Sequence, residues 1–257
     1  MTPFDAILIV LAGMVAGLMN AVVGAGTLVT FPTLLLLGYP AVLANVSNTV
    51  GLVPGSVMGA IGYRATLRGR GPIVMRLVLA ATLGGTAGGA LLVLLPGRAF
   101  DAIVPWLLLL SAVLAALQPR ISEAVALRRA ARGGERADAA PVSGGIFLLV
   151  ALTGVYGGYF GAAQGVILLV ILGLAMGGPL NELNGVKNVL GGTVNLVAAI
   201  LFIIVSEVDW VVAALIASGA TVGGGLGGRY GRRLPSSVLR VLLVSIAVIA
   251  ATVRFVG

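Results

Sequence analysis

Apolar residues dominate this chain in eight long stretches that short polar segments separate. Most stretches contain about 20 residues or more, the length that an α-helix needs to cross the hydrocarbon core of a bilayer. They run at about 4–37, 41–63, 73–95, 99–117, 143–177, 180–205, 208–228 and 236–256. The pattern predicts an all-α polytopic membrane protein.

The chain also repeats itself at an offset of 139 residues. The offset relates Gly26 to Gly165, Pro40 to Pro179, Asn45 to Asn184, Gly84–Gly89 to Gly223–Gly228, and Leu95–Pro96 to Leu234–Pro235. We therefore divide the chain into a first transmembrane repeat at 1–118, a linker at 119–142 and a second transmembrane repeat at 143–257. Two copies of a unit of about four hydrophobic segments are typical of transporters whose substrate site lies where the halves meet.

The first and fifth stretches are unusual because each exceeds 30 residues, which is long for a single span. Small residues interrupt each stretch near its middle, at Gly24–Gly26 and at Gly161–Gly165. Glycine costs about 1 kcal/mol relative to alanine inside a helix, so these clusters predict breaks. A broken stretch forms either a hairpin or a helix followed by a re-entrant piece.

Loop charge predicts the topology. Arginines crowd the loop after the second stretch, the linker and the loop before the last stretch, so the positive-inside rule places these three segments in the cytoplasm. The loop with Glu207 and Asp209 contains no arginine and is expected outside. These assignments agree with each other only if the first and fifth stretches break. The two repeats are then inverted, an architecture known among transporters.

Composition excludes several classes of function. The chain is 59% hydrophobic and 9% charged, with a mean hydropathy of +1.14, so we expect an integral, multi-pass protein of the plasma (inner) membrane. It contains no cysteine and no histidine, which removes disulfides, zinc clusters and Ser-His or Cys-His catalytic pairs. We therefore predict no enzyme and no cofactor. The net charge of +8 sits in short loops, where it favours lipid headgroups over nucleic acid.

One polar cluster inside an apolar stretch is the first candidate for a binding site. Lys187 is the only lysine of the chain, and an ionisable group at membrane depth is expected to face a cavity or a partner. Asn184 and Asn188 share its helix face. The matching face of the first copy carries Asn45, Asn48 and Thr49. In the simpler alternative, Lys187 reaches a lipid headgroup or pairs with Glu182, and the amides only join helices.

The predicted breaks supply the other half of the candidate site. A helix that restarts after Gly26 or Gly165 directs unpaired backbone N–H groups into the protein, and such groups favour anions. Gly24 also permits close approach of a ligand, and Asn20 and Gln164 lie beside the breaks. Alternatively, the glycines only permit tight helix crossing.

The glycine runs at 84–89 and 223–228 lie in membrane segments and favour helix packing over dinucleotide binding. They can pack within one chain or between two, which leaves a homodimer open.

The order of these motifs resembles the TauE/SafE family of sulfite exporters. The resemblance rests on Gly17-Leu-Met-Asn20-Ala-Val-Val-Gly24-Ala-Gly26-Thr27, then Phe31-Pro32, Leu37-Gly38-Tyr39-Pro40 and Ala44-Asn45. The second copy departs from the family pattern, because no proline follows Gly161–Gly165 closely and Lys187 and Asn188 replace residues of the Thr-Ser type. The resemblance implies transport, usually outward, of sulfur-containing anions such as sulfite, sulfonates or sulfoacetate.

The sequence therefore predicts a secondary transporter that moves a small anion across the bilayer by alternating access. A passive anion channel, or a permease for another small solute, is the main alternative. A cation or metal permease would need acidic or sulfur ligands at depth, and a membrane scaffold would not need a buried lysine.

Overall fold

The computed structural model describes residues 1–67, 69–131, 143–176 and 179–231. They form nine α-helices, namely α1 (Pro3–Val22), α2 (Thr27–Leu36), α3 (Ala41–Gly62), α4 (Gly71–Leu94), α5 (Gly97–Ala131), α6 (Gly144–Tyr159), α7 (Gln164–Ala175), α8 (Leu180–Val205) and α9 (Trp210–Tyr230). Six of these helices, α1, α3, α4, α5, α8 and α9, contain segments long and apolar enough to cross a membrane. The predicted eighth stretch at 236–256 and the Leu234–Pro235 motif lie outside the described residues.

Both long stretches break where the glycine clusters predict. The first divides between α1 and α2, and Gly24 adopts a φ of 82° there. The fifth divides between α6 and α7, with a φ of 76° at Gly161 and 58° at Ala163. These left-handed conformations end a helix at little cost for glycine, whereas Ala163 has a side chain that disfavours them. The first stretch is therefore a helix of 20 residues followed by one of 10, and the fifth is a helix of 16 residues followed by one of 12.

Local signals set several helix ends. Thr2 and Asp5 form a reciprocal capping box at the start of α1. The Asp209 carboxylate accepts two backbone N–H groups at the start of α9. Pro40 and Pro179, which the 139-residue offset relates, immediately precede α3 and α8. These signals fix where the spanning helices begin, and thereby the register of the polar residues within them.

One end of the bundle, which we call the acidic end, contains Asp5, Tyr39 and Asp209. The Tyr39 hydroxyl lies 3.9 Å from the sulfur of Met1, so α2 returns to the end where α1 begins. The Asp209 backbone N–H donates to the Ser47 hydroxyl oxygen at 2.9 Å. Burial, followed by the carboxylates of Asp209 and Asp5, raises the pKa of Tyr39 above its usual 10.0.

The opposite end, which we call the basic end, contains Arg64, Arg70 and Arg229. The Arg70 guanidinium lies 3.1 Å from the Glu182 carboxylate, and both side chains are nearly buried. This pair joins the start of α4 to the start of α8. Because α3 begins at the acidic end and α8 begins at the basic end, these two helices are antiparallel.

Helix packing follows the internal repeat. Helix α1 packs along α9, α3 packs along α9 and α8, and α4 packs along α6 and α8. The offset relates α1 to α6, α3 to α8 and α4 to α9. The α1–α9 contact of one arrangement therefore has its equivalent in the α6–α4 contact, and the α3–α9 contact has its equivalent in the α8–α4 contact. The α3–α8 contact is its own equivalent.

The glycine faces of α4 and α9 pack within the chain. A Cβ added to Gly84 would lie 2.0 Å from the Ala151 carbonyl oxygen, and one added to Gly223 would lie 1.8 Å from the Met14 carbonyl oxygen. Backbones this close require glycine, as in other small-residue helix crossings. These faces bury themselves against α6 and α1, so they give no ground for a homodimer.

Helix α5 extends into the predicted linker. It continues from the membrane segment to Ala131, so the linker predicted from residue 119 is helical in its first part. Val125 of this extension contacts α7, because a Cβ added to Gly173 would lie 2.6 Å from a Val125 methyl carbon. Residues 132–142 of the predicted linker lie outside the described part of the chain.

Candidate functional site

The two helix breaks contact each other near the centre of the bundle. The Gly165 backbone N–H donates to the Gly24 carbonyl oxygen at 3.1 Å. A Cβ added to Gly24 would lie 2.4 Å from the Gly165 Cα, and one added to Gly165 would lie 2.5 Å from the Gly24 Cα. The contact therefore excludes any side chain at both positions. It brings the interrupted helices of both repeats to one point.

A cavity of about 20 Å³ lies beside this contact, which is room for about one water molecule. Six of the predicted site residues line it: Asn20, Gly24, Gln164, Gly165, Lys187 and Asn188. Other lining residues come from the same helices and breaks: Ala21, Thr27, Ser56, Gly59, Gly161, Gly191, Gly192 and Asn195. The cavity is thus built from both repeats.

Lys187 is fully enclosed on α8, with 2% of its surface exposed. Its ammonium group donates to the carbonyl oxygens of Val22 at 3.0 Å and Ala21 at 3.4 Å, which belong to the last residues of α1. The C-terminal end of a helix carries partial negative charge, so it stabilises a cation there. The alternative pairing with Glu182 is wrong, because Glu182 pairs with Arg70. The burial of Lys187 also excludes a headgroup contact in this conformation.

Three amide side chains surround the same point. Asn188 donates through Nδ2 to the Ala21 carbonyl oxygen at 3.0 Å. The Asn20 carbonyl oxygen accepts the backbone N–H of Gly26 at 3.1 Å. Gln164 donates weakly to the Gly191 carbonyl oxygen at 3.5 Å, and its own buried oxygen has no partner among the described residues. These contacts fix the amides around the end of α1.

The polar face of the first copy does not reach the cavity. Asn45 donates to the carbonyl oxygen of Tyr159 at 3.0 Å, at the end of α6. Asn48 accepts a hydrogen bond from the Thr30 hydroxyl, and the Thr49 hydroxyl donates to the Asn45 carbonyl oxygen at 2.9 Å.

In the second copy, Asn184 is half-buried and is also absent from the cavity lining. Asn45 nevertheless makes the same kind of contact as Lys187 and Asn188. Each of these side chains binds the end of the first helix of the other repeat.

The predicted backbone donors are partly used within the protein. Helices α2 and α7 begin beside the cavity, as the breaks predicted. However, the Gly26 N–H donates to Asn20, and the Gly165 N–H donates to Gly24. Gly26 itself does not line the cavity; a Cβ added to it would lie 2.4 Å from the Ala16 carbonyl oxygen. The sequence interpretation also missed that a break exposes the carbonyl end of the preceding helix.

Three polar lining residues, Thr27, Ser56 and Asn195, were not predicted as site residues. The Asn195 Nδ2 atom donates to the Ser56 hydroxyl oxygen at 3.3 Å. The two residues are separated by 139 positions, so they are equivalent members of the two repeats that touch each other. The repeat offset was the available signal, because it aligns them directly.

Few ionisable groups are found among the described residues that line the cavity. Lys187 is the one ionisable side chain among the described lining residues. Within the described ranges, no group of three or more His, Cys, Asp or Glu side chains forms a candidate metal site.

Comparison with known proteins agrees with the architecture. The family model of the sulfite exporter TauE/SafE matches residues 9–254. A probable membrane transporter protein, ORF9, of Sinorhizobium sp is 27% identical over 245 residues, which are 93% of this chain and 88% of the relative. The probable membrane transporter protein YfcA of Escherichia coli K12 is 28% identical over 247 residues, 93% of this chain and 84% of the relative.

A probable membrane transporter protein of Haemophilus influenzae is 22% identical over 237 residues, 90% of this chain and 87% of the relative. No solved structure matches the chain. The family match covers both repeats and the cavity between them, and the relatives that span most of the chain are named as transporters. The protein is therefore an integral, multi-pass membrane transporter that belongs to the TauE/SafE sulfite exporter family.

Proposed function

We propose that this protein is a secondary transporter that exports a small sulfur-containing anion, such as sulfite, a sulfonate or a sulfoacetate-like compound. The observation that carries the proposal is the position of Lys187 in a cavity where the two helix breaks meet. Lys187 has three N–H donors, and two of them serve α1. The third is available to an anion, and no carboxylate among the described lining residues opposes it.

The amides beside Lys187 supply directional hydrogen bonds for the substrate. Asn20, Gln164 and Asn188 all line the cavity and all carry N–H donors. Oxyanions are acceptors, so donors converging beside a buried cation suit them. The cavity of about 20 Å³ has room for about one water molecule, so it must widen to hold a larger anion. Substrate entry therefore requires the two halves to move apart.

The inverted arrangement of the repeats is part of this proposal. It is supported by the antiparallel directions of α3 and α8 and by the helix contacts that persist when the copies are exchanged. The Ser56–Asn195 contact between equivalent residues gives a point near the axis that relates the copies. Transporters with inverted repeats bind substrate near such an axis and open alternately to either side.

Contacts between the halves at both ends of the bundle fit alternating access. Arg70 of the first copy binds Glu182 of the second at the basic end. Asp209 of the second copy binds Ser47 of the first at the acidic end. Positions 70 and 209 are equivalent in the repeat: Arg70 immediately precedes α4, and Asp209 immediately precedes α9. Opening toward either side would separate one contact and keep the other.

The choice of a sulfur anion and of the outward direction rests on the family, whose model is described as a sulfite exporter. The relatives' names state membrane transport and no substrate. The cavity independently supports the sign of the substrate charge. Coupling to an ion gradient or to the substrate's own gradient is compatible with this site.

Counterflow in proteoliposomes tests the proposal. Vesicles loaded with unlabelled sulfite are expected to accumulate radiolabelled sulfite transiently, because a carrier exchanges substrate whereas a channel does not. Lys187→Gln is expected to abolish exchange. Arg64→Gln, which removes the same charge from an exposed position at the basic end, is the matched control and is expected to retain it. Flux without counterflow would favour the channel, and absence of any sulfur-anion exchange would contradict the substrate.

A further inference from the structure

A second polar group lines the cavity beside the lysine and the helix breaks. Asn20, Ser56 and Asn195 meet there from α1, α3 and α8. The Ser56 hydroxyl oxygen lies 3.4 Å from Asn20 Nδ2 and 3.3 Å from Asn195 Nδ2. The cluster therefore joins both repeats through one hydroxyl oxygen.

The surrounding backbone fixes the direction of every hydrogen bond in this cluster. A backbone N–H can only donate, so the Asn20 atom that receives the Gly26 N–H at 3.1 Å must be the amide oxygen. The NH2 group of Asn20 is then the part that faces Ser56. The Ser56 hydroxyl proton goes to the Leu52 carbonyl oxygen at 3.0 Å, because a carbonyl only accepts. Ser56 is thus left as an acceptor, and Asn195 must also present its NH2 group.

The result is a pair of amide NH2 groups whose orientation the fold determines. Each NH2 carries two hydrogens and uses one of them on Ser56. No acceptor among the described residues takes the second hydrogen of either amide, which leaves it for a molecule in the cavity. Two donors on either side of one oxygen atom match a ligand with at least two acceptor oxygens better than a single spherical anion.

We propose that Asn20 and Asn195, oriented by Ser56, form a subsite that binds the oxygen atoms of the transported oxyanion and distinguishes it from halides. This inference rests on the proposed function and adds the residues that set specificity. Lys187 supplies the charge, whereas the paired amides recognise the several oxygens of the anion. Asn20 belongs to the first repeat and Asn195 to the second, so each half of the transporter contributes one amide to the subsite.

The test compares three variants in sulfite counterflow and measures the half-saturating sulfite concentration and the maximal rate separately. Asn195→Asp replaces the NH2 donor with an oxygen of nearly the same shape. We expect it to raise half-saturation at least tenfold. Asn195→Ser copies the residue found at the equivalent position and keeps one hydroxyl donor, so a rise of about threefold is expected. Asn181→Asp makes the same amide-to-acid change in the first turn of α8, away from the cavity, and is expected to match the wild type.

Each outcome separates the subsite from the transport function itself. Wild-type exchange together with unchanged half-saturation in a folded Asn195→Asp variant would overturn the subsite and leave the transporter intact. An equal loss in Asn181→Asp would overturn it as well, because the effect would then be unspecific. If Asn195→Asp does not fold, Asn195→Ser decides alone, and an unchanged value contradicts the proposal. Chloride competing with sulfite as strongly as sulfate does would overturn the discrimination between oxyanions and halides.

Discussion

The Lys187 ammonium nitrogen lies 3.0 Å from the carbonyl oxygen of Val22, so the buried cation of one repeat completes the end of a helix in the other. A helix end carries about half a negative charge, which compensates a full positive charge only in part. When Lys187 is protonated, part of its positive charge is therefore left uncompensated on the side of the cavity. A carboxylate partner would have cancelled it, and the nearby Glu182 is occupied by Arg70 instead.

Replacement of Lys187 is expected to affect stability and transport differently according to the substitute. Lys187→Met removes the donor that serves the Val22 carbonyl oxygen, at a cost of about 1–3 kcal/mol, whereas the Ala21 carbonyl oxygen keeps its hydrogen bond from Asn188. Lys187→Gln keeps an N–H donor and should lose less stability, although both variants lose the charge. Thermal unfolding in detergent, followed by circular dichroism, measures the difference. Wild-type stability in Lys187→Met would contradict the role of this contact.

Three glycine substitutions separate backbone strain from steric conflict. Gly38→Ala introduces strain alone, since Gly38 has a φ of 84° and nothing lies within 4 Å of an added Cβ. We expect it to cost about 1–2 kcal/mol. Gly165→Ala introduces the clash with Gly24 alone, and Gly24→Ala introduces both effects. The expected order of folded yield in detergent is Gly38→Ala, then Gly165→Ala, then Gly24→Ala. A Gly165→Ala protein as stable as Gly38→Ala would contradict the tight backbone contact.

The Arg70–Glu182 ion pair is expected to show strong coupling between its two residues. Arg70→Gln removes the guanidinium that lies 3.1 Å from the nearly buried Glu182 carboxylate, and Glu182→Gln removes the charge of that carboxylate. Each single change should cost about 3–5 kcal/mol. The double variant should cost less than the sum of the two, because each single change already removes the same interaction between the two side chains. A double-mutant cycle in unfolding free energy measures this, and additive effects would exclude the coupling.

The proposed inverted topology predicts labelling from opposite sides of the membrane. The chain is naturally free of cysteine, so single replacements need no prior background removal. Glu207→Cys, exposed near the acidic end, should react with an impermeant maleimide in intact cells. Ala65→Cys, exposed at the basic end, should react only after the membrane is opened. Reaction of both from the same side would contradict the inverted arrangement.

The sequence predicted the breaks in the first and fifth stretches because glycine clusters there have a direct physical cost inside a helix. It did not predict that α5 continues to Ala131. Pro119 and the arginines that follow it were interpreted as the start of a polar linker. Proline is tolerated there within the helix, and Val125 then finds an apolar partner on α7.

Residues of the candidate site could be predicted where a polar side chain lies at membrane depth, because such a group needs a cavity or a partner. Lys187 and Asn188 stood out as polar residues at membrane depth, and both line the cavity. Asn45 is also a polar residue at membrane depth, but it binds the end of α6 and not the cavity. Helix periodicity predicts which residues share a face of a helix, but it does not predict which element packs against that face. Ser56 gave no signal by itself, since a serine in a helix commonly bonds to the carbonyl four residues earlier, as it does to Leu52.

The contact between Gly24 and Gly165 also has an evolutionary consequence. If the two repeats arose by duplication, the residues that natural selection permits at Gly24 are limited by the backbone at Gly165, and those permitted at Gly165 by the backbone at Gly24. Mutation of either glycine to a larger residue would place a side chain against the backbone of a residue encoded about half the gene away. The halves can diverge in their loops and outer helix faces, but here they must change together. Chimaeras that combine one half of this transporter with half of a relative are therefore expected to assemble only when both halves retain glycine at this crossing.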